Sequence, residues 1–217
     1  MLAKHMLQTG LALGLFAVVG TGIVAYTFDH ARVLIAQNER AALLEKLHAL
    51  VPSAQYNNDL LSDTIEVTAR AGLGTDKPVT VYRARQNGRP VAAVFTPVVA
   101  PDGYSGPIKL LIAVRYDGTL AGVRVTAHRE TPGLGDPIEE TRSGWILNFT
   151  DRSLSNPQPD KWKVKRDGGM FDQFTGATIT PRAVVKAVYN CLNYFAANKK
   201  QIFTSPALPT KVAPGKT

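Results

Sequence analysis

Cysteine is almost missing from this chain: Cys191 stands alone among 217 residues. That excludes an internal disulfide framework and a thiolate metal cage. Cys191 sits in an apolar helical stretch and reads as a small core side chain. Charge is also thin, at 19% of residues, below the roughly 25% of ordinary globular domains. The 45% hydrophobic content supports a sizeable core and excludes wholesale disorder. Acidic groups are the scarcer sign, 17 against 25 Lys and Arg, for a net charge of +8. Such a balance fits nucleic acid, an anionic membrane surface or simple solubility. The densest basic run, Lys161, Lys163, Lys165 and Arg166, has no repeating alternation with aromatics for base stacking, so it reads as a solvated face. No Gly-x-Ser-x-Gly elbow, Walker motif or dinucleotide glycine fingerprint occurs. His128 and Glu130 lie two apart at a strand end without further ligands, which favours a surface pair over a metal site. No internal repeat suggests a solenoid.

The longest gap in charge is the most informative. From Met6 to Phe28 no charged residue occurs, and Leu, Ala, Val, Gly and Phe dominate. A bilayer core of about 30 Å needs about 20 apolar residues in helical form, so the stretch is long enough to span. A cleaved signal peptide is the competing reading, with an apolar region of about 7–15 residues and a small-x-small cleavage site. Here the run is longer, and Tyr26, Phe28 and Asp29 make a poor site, which favours an uncleaved anchor. Lys4, His5 and the terminal amine precede the run, while Asp29 and Arg32 follow it. On this small asymmetry the positive-inside rule leaves the N-terminus in the cytoplasm and exports everything after Phe28.

Beyond the anchor, residues 29–51 read as a membrane-proximal helix. Leu43, Leu44, Leu47, Leu50 and Val51 recur at helical spacing, and Pro52 ends the run. Ile65, Val67 and Ala69 then alternate with polar neighbours. Residues 79–85 and 91–99 flank Asn87-Gly88, and residues 108–116 and 120–128 flank Asp117-Gly118. Both dipeptides are hairpin signals, since the turn residues must accept positive φ. After Glu130-Thr131-Pro132-Gly133-Leu134-Gly135, a helix is expected with Asp136 as N-cap, Pro137 first and Glu139 closing a capping box. Trp145, Ile146 and Phe149 would form its apolar side. Residues 162–166 fit a short strand, followed by a turn at Asp167-Gly168-Gly169. The last helix is expected near Pro181, with Thr180 as N-cap. Val184, Val185, Val188, Leu192 and Phe195 form its apolar stripe. The predicted fold is α+β: one N-terminal transmembrane helix, then a single exported domain with a mostly antiparallel sheet flanked by helices. Its segments are 1–28 (N-terminus and anchor), 29–52 (membrane-proximal helix), 53–203 (the domain) and 204–217 (a Pro-, Thr- and Lys-rich mobile tail).

The chemistry concentrates in Asp172-Gln173-Phe174-Thr175-Gly176-Ala177-Thr178, just before the last helix. Gly176 and Ala177 leave space around the backbone, and Thr178 offers a hydroxyl. A helix N-terminus favours phosphate through its free N–H groups and dipole. Arg182 and Lys186, one turn apart, would add positive potential. A hydroxyl esterified to a nucleotide phosphate fits this segment; so does an ordinary cap and turn.

Asp-x-x-Thr-Gly-Ala-Thr resembles the flavinylation signature of the FMN-binding domain family. The anchor, the Glu130–Gly135 segment and the Thr-Gly-Ala-Thr loop also occur in the order of one branch. That branch comprises the G subunits of Rnf electron-transport complexes, relatives of the C subunit of the sodium-translocating NADH:quinone oxidoreductase. The likeness extends from the anchor to about residue 200. At position 175 this chain has Thr where relatives often have Ser. In this family a flavin transferase moves FMN from FAD onto the last Thr or Ser of the motif as a phosphoester, which implies covalent FMN on Thr178. The resemblance further implies that Asp172 assists the transferase, and that Gly176 and Ala177, beside Thr175, permit close approach. The segment of Glu130, Thr131, Leu134 and Gly135 would lie against the flavin, with Thr131 and Leu134 as the contacts. A turn whose glycines serve only the chain reversal is the alternative for that segment. The Asp102-Gly103-Tyr104-Ser105-Gly106 loop would be a further flavin wall or, equally, a turn between strands. The implied partners are the other subunits of an Rnf-type complex and the transferase. The implied place is the bacterial inner membrane with the domain in the periplasm, and the implied role is an electron relay without independent turnover. An anchored assembly module without a cofactor and a flavin-dependent reductase of a small exported substrate are the competing readings.

Overall fold

The computed structural model describes residues 2–208, which divide into two compact units with a boundary between Lys46 and Leu47. Helix α1 (Leu2–His48) supplies almost all of the first unit. Its stretch Ala3–Phe28 has a mean hydropathy of 2.0, with its side chains exposed. Its 26 residues extend roughly 39 Å as a helix, enough to cross a bilayer core. The hydroxyls of Thr9 and Thr27 donate back to the carbonyls of His5 and Ile23, at 2.9 and 2.7 Å. These two hydroxyls are thus satisfied within the helix, as an apolar solvent requires. The anchor and the helix expected over 29–51 form one continuous element that ends at His48, and Pro52 follows the turn after it.

The second unit is built on a five-stranded antiparallel meander in sequence order. Its strands are β1 (Thr64–Val67), β2 (Val79–Gln86), β3 (Arg89–Ala100), β4 (Ile108–Arg115) and β5 (Leu120–Ala127). A one-turn helix α2 (Arg70–Leu73) follows β1, so Ala69 leaves the strand and flanks that helix. The β2–β3 turn places Asn87 and Gly88 at φ +52° and +77°, as the dipeptide predicts. The β4–β5 turn differs: only Gly118 has positive φ, at +97°. Asp117 instead accepts bonds from the Thr119 amide and hydroxyl. Gly118 N–H donates to Arg115 O and Arg115 N–H to Thr119 O, which makes a type I turn with a glycine bulge.

One sheet face buries Val79, Val81, Phe95, Leu110 and Ile112 in the same core as Val184, Val188, Leu192 and Phe195 of helix α3 (Ile179–Thr204). Phe95 and Phe195 meet edge to face. Against the other face, Leu50 lies where a side chain at Gly122 would stand. The C-terminal end of α3 is held by cations, as helix carbonyls favour. Buried Arg83 donates to the carbonyls of Ile202 and Ser205, and Arg85 to that of Phe203. Asp63 pairs with both guanidinium groups. Leu208 N–H donates to Thr64 O at 2.8 Å, and residues 209–217 of the expected tail lie outside the described residues.

Three further local expectations fail. The helix after Gly135 resolves into two 3-10 turns, Asp136–Ile138 and Gly144–Phe149. Asp136 turns back to accept the Gly133 N–H, and Glu139 engages His128 instead of closing a capping box. Ser143 caps the second turn by accepting from Trp145 N–H. The strand expected over 162–166 is replaced by turns at Pro159–Lys161 and Lys165–Asp167, with one bridge pairing Val164 and Phe171. Finally, α3 begins at Ile179, so Thr178 takes the cap position and Thr180 falls inside the first turn.

Candidate functional site

Two glycine turns meet at the start of α3. Thr131-Pro132-Gly133-Leu134 closes with Leu134 N–H on Thr131 O at 3.1 Å, with Gly133 at φ +78°. Pro second and a positive-φ Gly third is the pattern of a type II turn. Phe174-Thr175-Gly176-Ala177 repeats the geometry, with Ala177 N–H on Phe174 O at 3.1 Å and Gly176 at φ +79°. A Cβ on Gly176 would meet only Leu134 Cδ2, at 3.7 Å. The two segments singled out separately in the sequence are therefore neighbours.

Aromatic packing anchors the second turn. Phe171 stacks on Phe149 with centroids 4.6 Å apart, and Phe174 meets Trp145 edge to face at 5.3 Å. Trp145 Nε1–H donates to Asp172 O at 2.8 Å. In the sequence Trp145 and Phe149 read as the side of a helix, and Phe171 carries no signal of its own. The paired aromatics around Asp172-Gln173 were the available signal.

Thr178 caps α3 by position alone: its backbone is helical, at φ −73° and ψ −25°, and its hydroxyl makes no capping bond. It is half-buried, whereas Thr175 and Gly176 are exposed. The first helical turn leaves N–H groups without intrahelical partners, and Pro181 contributes none. Leu134, Tyr104 and Ile179 keep 47%, 68% and 46% of their surface exposed. A hydroxyl, free amides and exposed apolar side chains together suit a phosphate with an aromatic group attached.

Glu130 does not face solvent. It is 4% exposed; Oε2 accepts the Thr180 hydroxyl at 2.5 Å and Oε1 accepts Ser105 N–H at 3.1 Å. Gly135 packs against the same carboxylate. This contact brings the 102–106 loop to the α3 terminus. Thr131 is exposed at the edge of its turn.

The cations expected to draw phosphate are already paired. Arg182 makes a two-pronged contact with Asp167 at 2.6 Å for both bonds, and Lys186 meets Asp102 at 2.7 Å. The Arg182 hydrogen bond holds the Asp167 carboxyl below its usual range. Asp172 is exposed and pairs with Lys165 at 2.6 Å. His128 accepts Glu130 N–H at Nδ1, so Nε2 carries the proton that it donates to Glu139 at 2.6 Å. That bond lowers the Glu139 pKa. Burial pushes the Cys191 thiol up, which fits the inert core role read from the sequence. Among the described residues, no group of three or more His, Cys, Asp or Glu side chains gathers into a metal site.

Residues 103–193 match the FMN-binding domain family, and residues 1–50 match the RnfG N-terminal region. The chain is 46% identical to the G subunit of the ion-translocating oxidoreductase complex of Pseudoalteromonas atlantica, over 91% of this chain and 92% of that protein. It is 47% identical to the protein of the same name from Pseudomonas aeruginosa, over 92% of each. The crystal structure of Shewanella oneidensis NqrC aligns with a TM-score of 0.47 and 22% identity, over 69% of this chain and 76% of that one.

Proposed function

Since the chain belongs to the family of G subunits of ion-translocating oxidoreductase complexes, we propose that it is an anchored flavoprotein bearing FMN as a phosphoester on Thr178. One observation carries the reading. Within the segment matching the FMN-binding domain, the motif Asp172–Thr178 ends in a hydroxyl that caps nothing at a helix N-terminus.

Attachment joins Thr178 Oγ1 to the flavin-side phosphorus of FAD. The pyrophosphate bond breaks, AMP leaves, and the hydroxyl proton departs to a base supplied by the transferase. Gly176 and Ala177 keep bulk away from that approach. Asp172 stands exposed for the transferase and is held by Lys165. Once bound, the isoalloxazine supplies one- or two-electron redox chemistry. Thr131 and Leu134, with Tyr104 from the neighbouring loop, offer surface for the ring, while the first-turn amides of α3 take the phosphate. A tether through phosphate leaves the ring unmodified, so its potential is set by these contacts. The link also keeps the local concentration high in every redox state, without a free cofactor pool.

The domain works on the periplasmic side of the inner membrane, relaying electrons among the other subunits of the complex. The span carries no Asp, Glu, Lys or Arg from Met6 to Phe28. Ion movement, which uses charged intramembrane groups, therefore belongs to partner subunits.

The direct test is the mass of the tryptic peptide Asp167–Arg182 from cells with an active flavin transferase. The expected result is one FMN phosphoryl group on Thr178. An unmodified peptide favours the cofactor-free assembly module. Thr178→Ala is expected to abolish flavin fluorescence of the denatured protein band, with a stability change within about 0.5 kcal/mol. Fluorescence retained on that variant refutes the assignment.

A further inference from the structure

We infer that Glu130 and Thr180 are a positioning pair that sets the first turn of α3 and so the presentation of the Thr178 hydroxyl. The inference rests on the covalent reading above. Thr180 is the only threonine of that turn with a buried hydroxyl, and its donor points away from the helix amides into the Glu130 carboxylate. A threonine at a helix start ordinarily spends its oxygen as an acceptor from nearby N–H groups. Turned inward, it leaves those amides to an incoming phosphate and leaves Thr178 uncommitted.

The surroundings are shaped to hold the carboxylate. A Cβ on Gly135 would come within 2.7 Å of Glu130 Oε2, and one on Gly103 within 3.0 Å of Oε1. Ser105 N–H binds Oε1 in front, while the Glu130 amide is tied to His128 Nδ1 behind. One side chain thereby links the 103–105 loop, the 130–135 turn and α3. All three carry exposed side chains offered above to the flavin: Tyr104, Leu134 and Ile179. Burying a carboxylate is unfavourable unless it is fully hydrogen-bonded, and apolar replacement of buried charged groups is often neutral or stabilising. A charged hydrogen bond adds what packing lacks, a short contact of defined direction. As a buried anion at the N-terminal end, Glu130 also stabilises the helix from inside. Thr178 sits two residues from the clamped side chain, so a small rotation of this turn displaces the attacking oxygen.

The test compares full-length variants in detergent, with flavin transferase and FAD, reading kcat and KM for the acceptor protein. Thr180→Val removes the donor at nearly constant shape. It is expected to lower kcat about tenfold, the scale of a lost hydrogen bond to a charged group, with KM within about twofold. Thr180→Ser, which returns the hydroxyl, is expected to restore most of the rate. Wild-type kcat in Thr180→Val, a loss confined to KM, or no recovery in Thr180→Ser overturns the inference. If Thr180→Val is not folded by circular dichroism, Glu130→Gln carries the test. It keeps size but weakens the acceptor, and is expected to lower kcat about threefold; an unchanged kcat there is equally fatal. The two readings fail separately: wild-type protein that accepts no FMN sinks the covalent assignment, whereas normal loading of these variants sinks only the pair.

Discussion

At the residue scale, the same side-chain types serve unlike ends according to what surrounds them. Thr178 and Thr180 are two positions apart, yet one hydroxyl caps nothing and the other is locked to a buried carboxylate. The sequence marks Thr178 through its motif, but it places Thr180 at the cap and Glu130 in a surface pair with His128. Both assignments turn on a contact fifty positions apart in the chain, which no local pattern encodes. Glu139 shows the same effect on proton binding. Its pKa is lowered mainly by the His128 hydrogen bond, so its stabilising contribution is present above the unfolded-state Glu pKa of about 4.3 and fades as pH falls through the lower folded value. Wild-type protein is therefore expected to lose more thermal stability between about pH 5 and pH 3 than Glu139→Gln. Parallel melting curves, followed by circular dichroism, check this; equal slopes contradict it.

At the element scale, legibility follows the range of the forces involved. The hairpins were readable because alternation and turn dipeptides are local, and Asn87-Gly88 takes the expected positive φ values. α3 was readable because its stripe of Val184, Val188, Leu192 and Phe195 is long and regular, although its start was placed two residues late. Between Asp136 and Phe171 the expected helix and strand do not form, although Trp145, Ile146 and Phe149 are buried and the chain turns at Gly168 as expected. There, Pro, Gly and Ser interrupt every periodic run, and the shape comes from aromatic stacking and single side-chain bonds. Gly169 illustrates it: a Cβ there would lie 1.9 Å from the Lys163 carbonyl oxygen, which is backbone and has little room to give. Gly169→Ala is expected to destabilise the protein by about 2–3 kcal/mol. Gly168→Ala, in open space at φ +81°, should lose only about 1 kcal/mol from its left-handed backbone. Denaturant unfolding of both variants decides; equal losses would remove this account of the turn.

At the scale of the whole molecule, a helix with an exposed apolar stretch from Ala3 to Phe28 adjoins a unit with its own core. In the proposed orientation, alkaline phosphatase fused after residue 208 is expected to be active in cells and a green fluorescent protein fusion dark. The reverse pattern would place the domain in the cytoplasm. Hydropathy alone determined that a membrane-length helix begins the chain, because transfer free energy sums along a segment without regard to tertiary contacts. Alternation and turn chemistry likewise determined the two antiparallel hairpins, and the Asp172–Thr178 motif determined which hydroxyl to suspect. Tertiary structure alone decided which groups remain available to a ligand. It paired Arg182 and Lys186 with Asp167 and Asp102, turned Glu130 inward, and set Leu134 beside Gly176. Those outcomes depend on distances between segments far apart in the chain, and short-range hydrogen bonds and ion pairs form only after the core has brought their partners together.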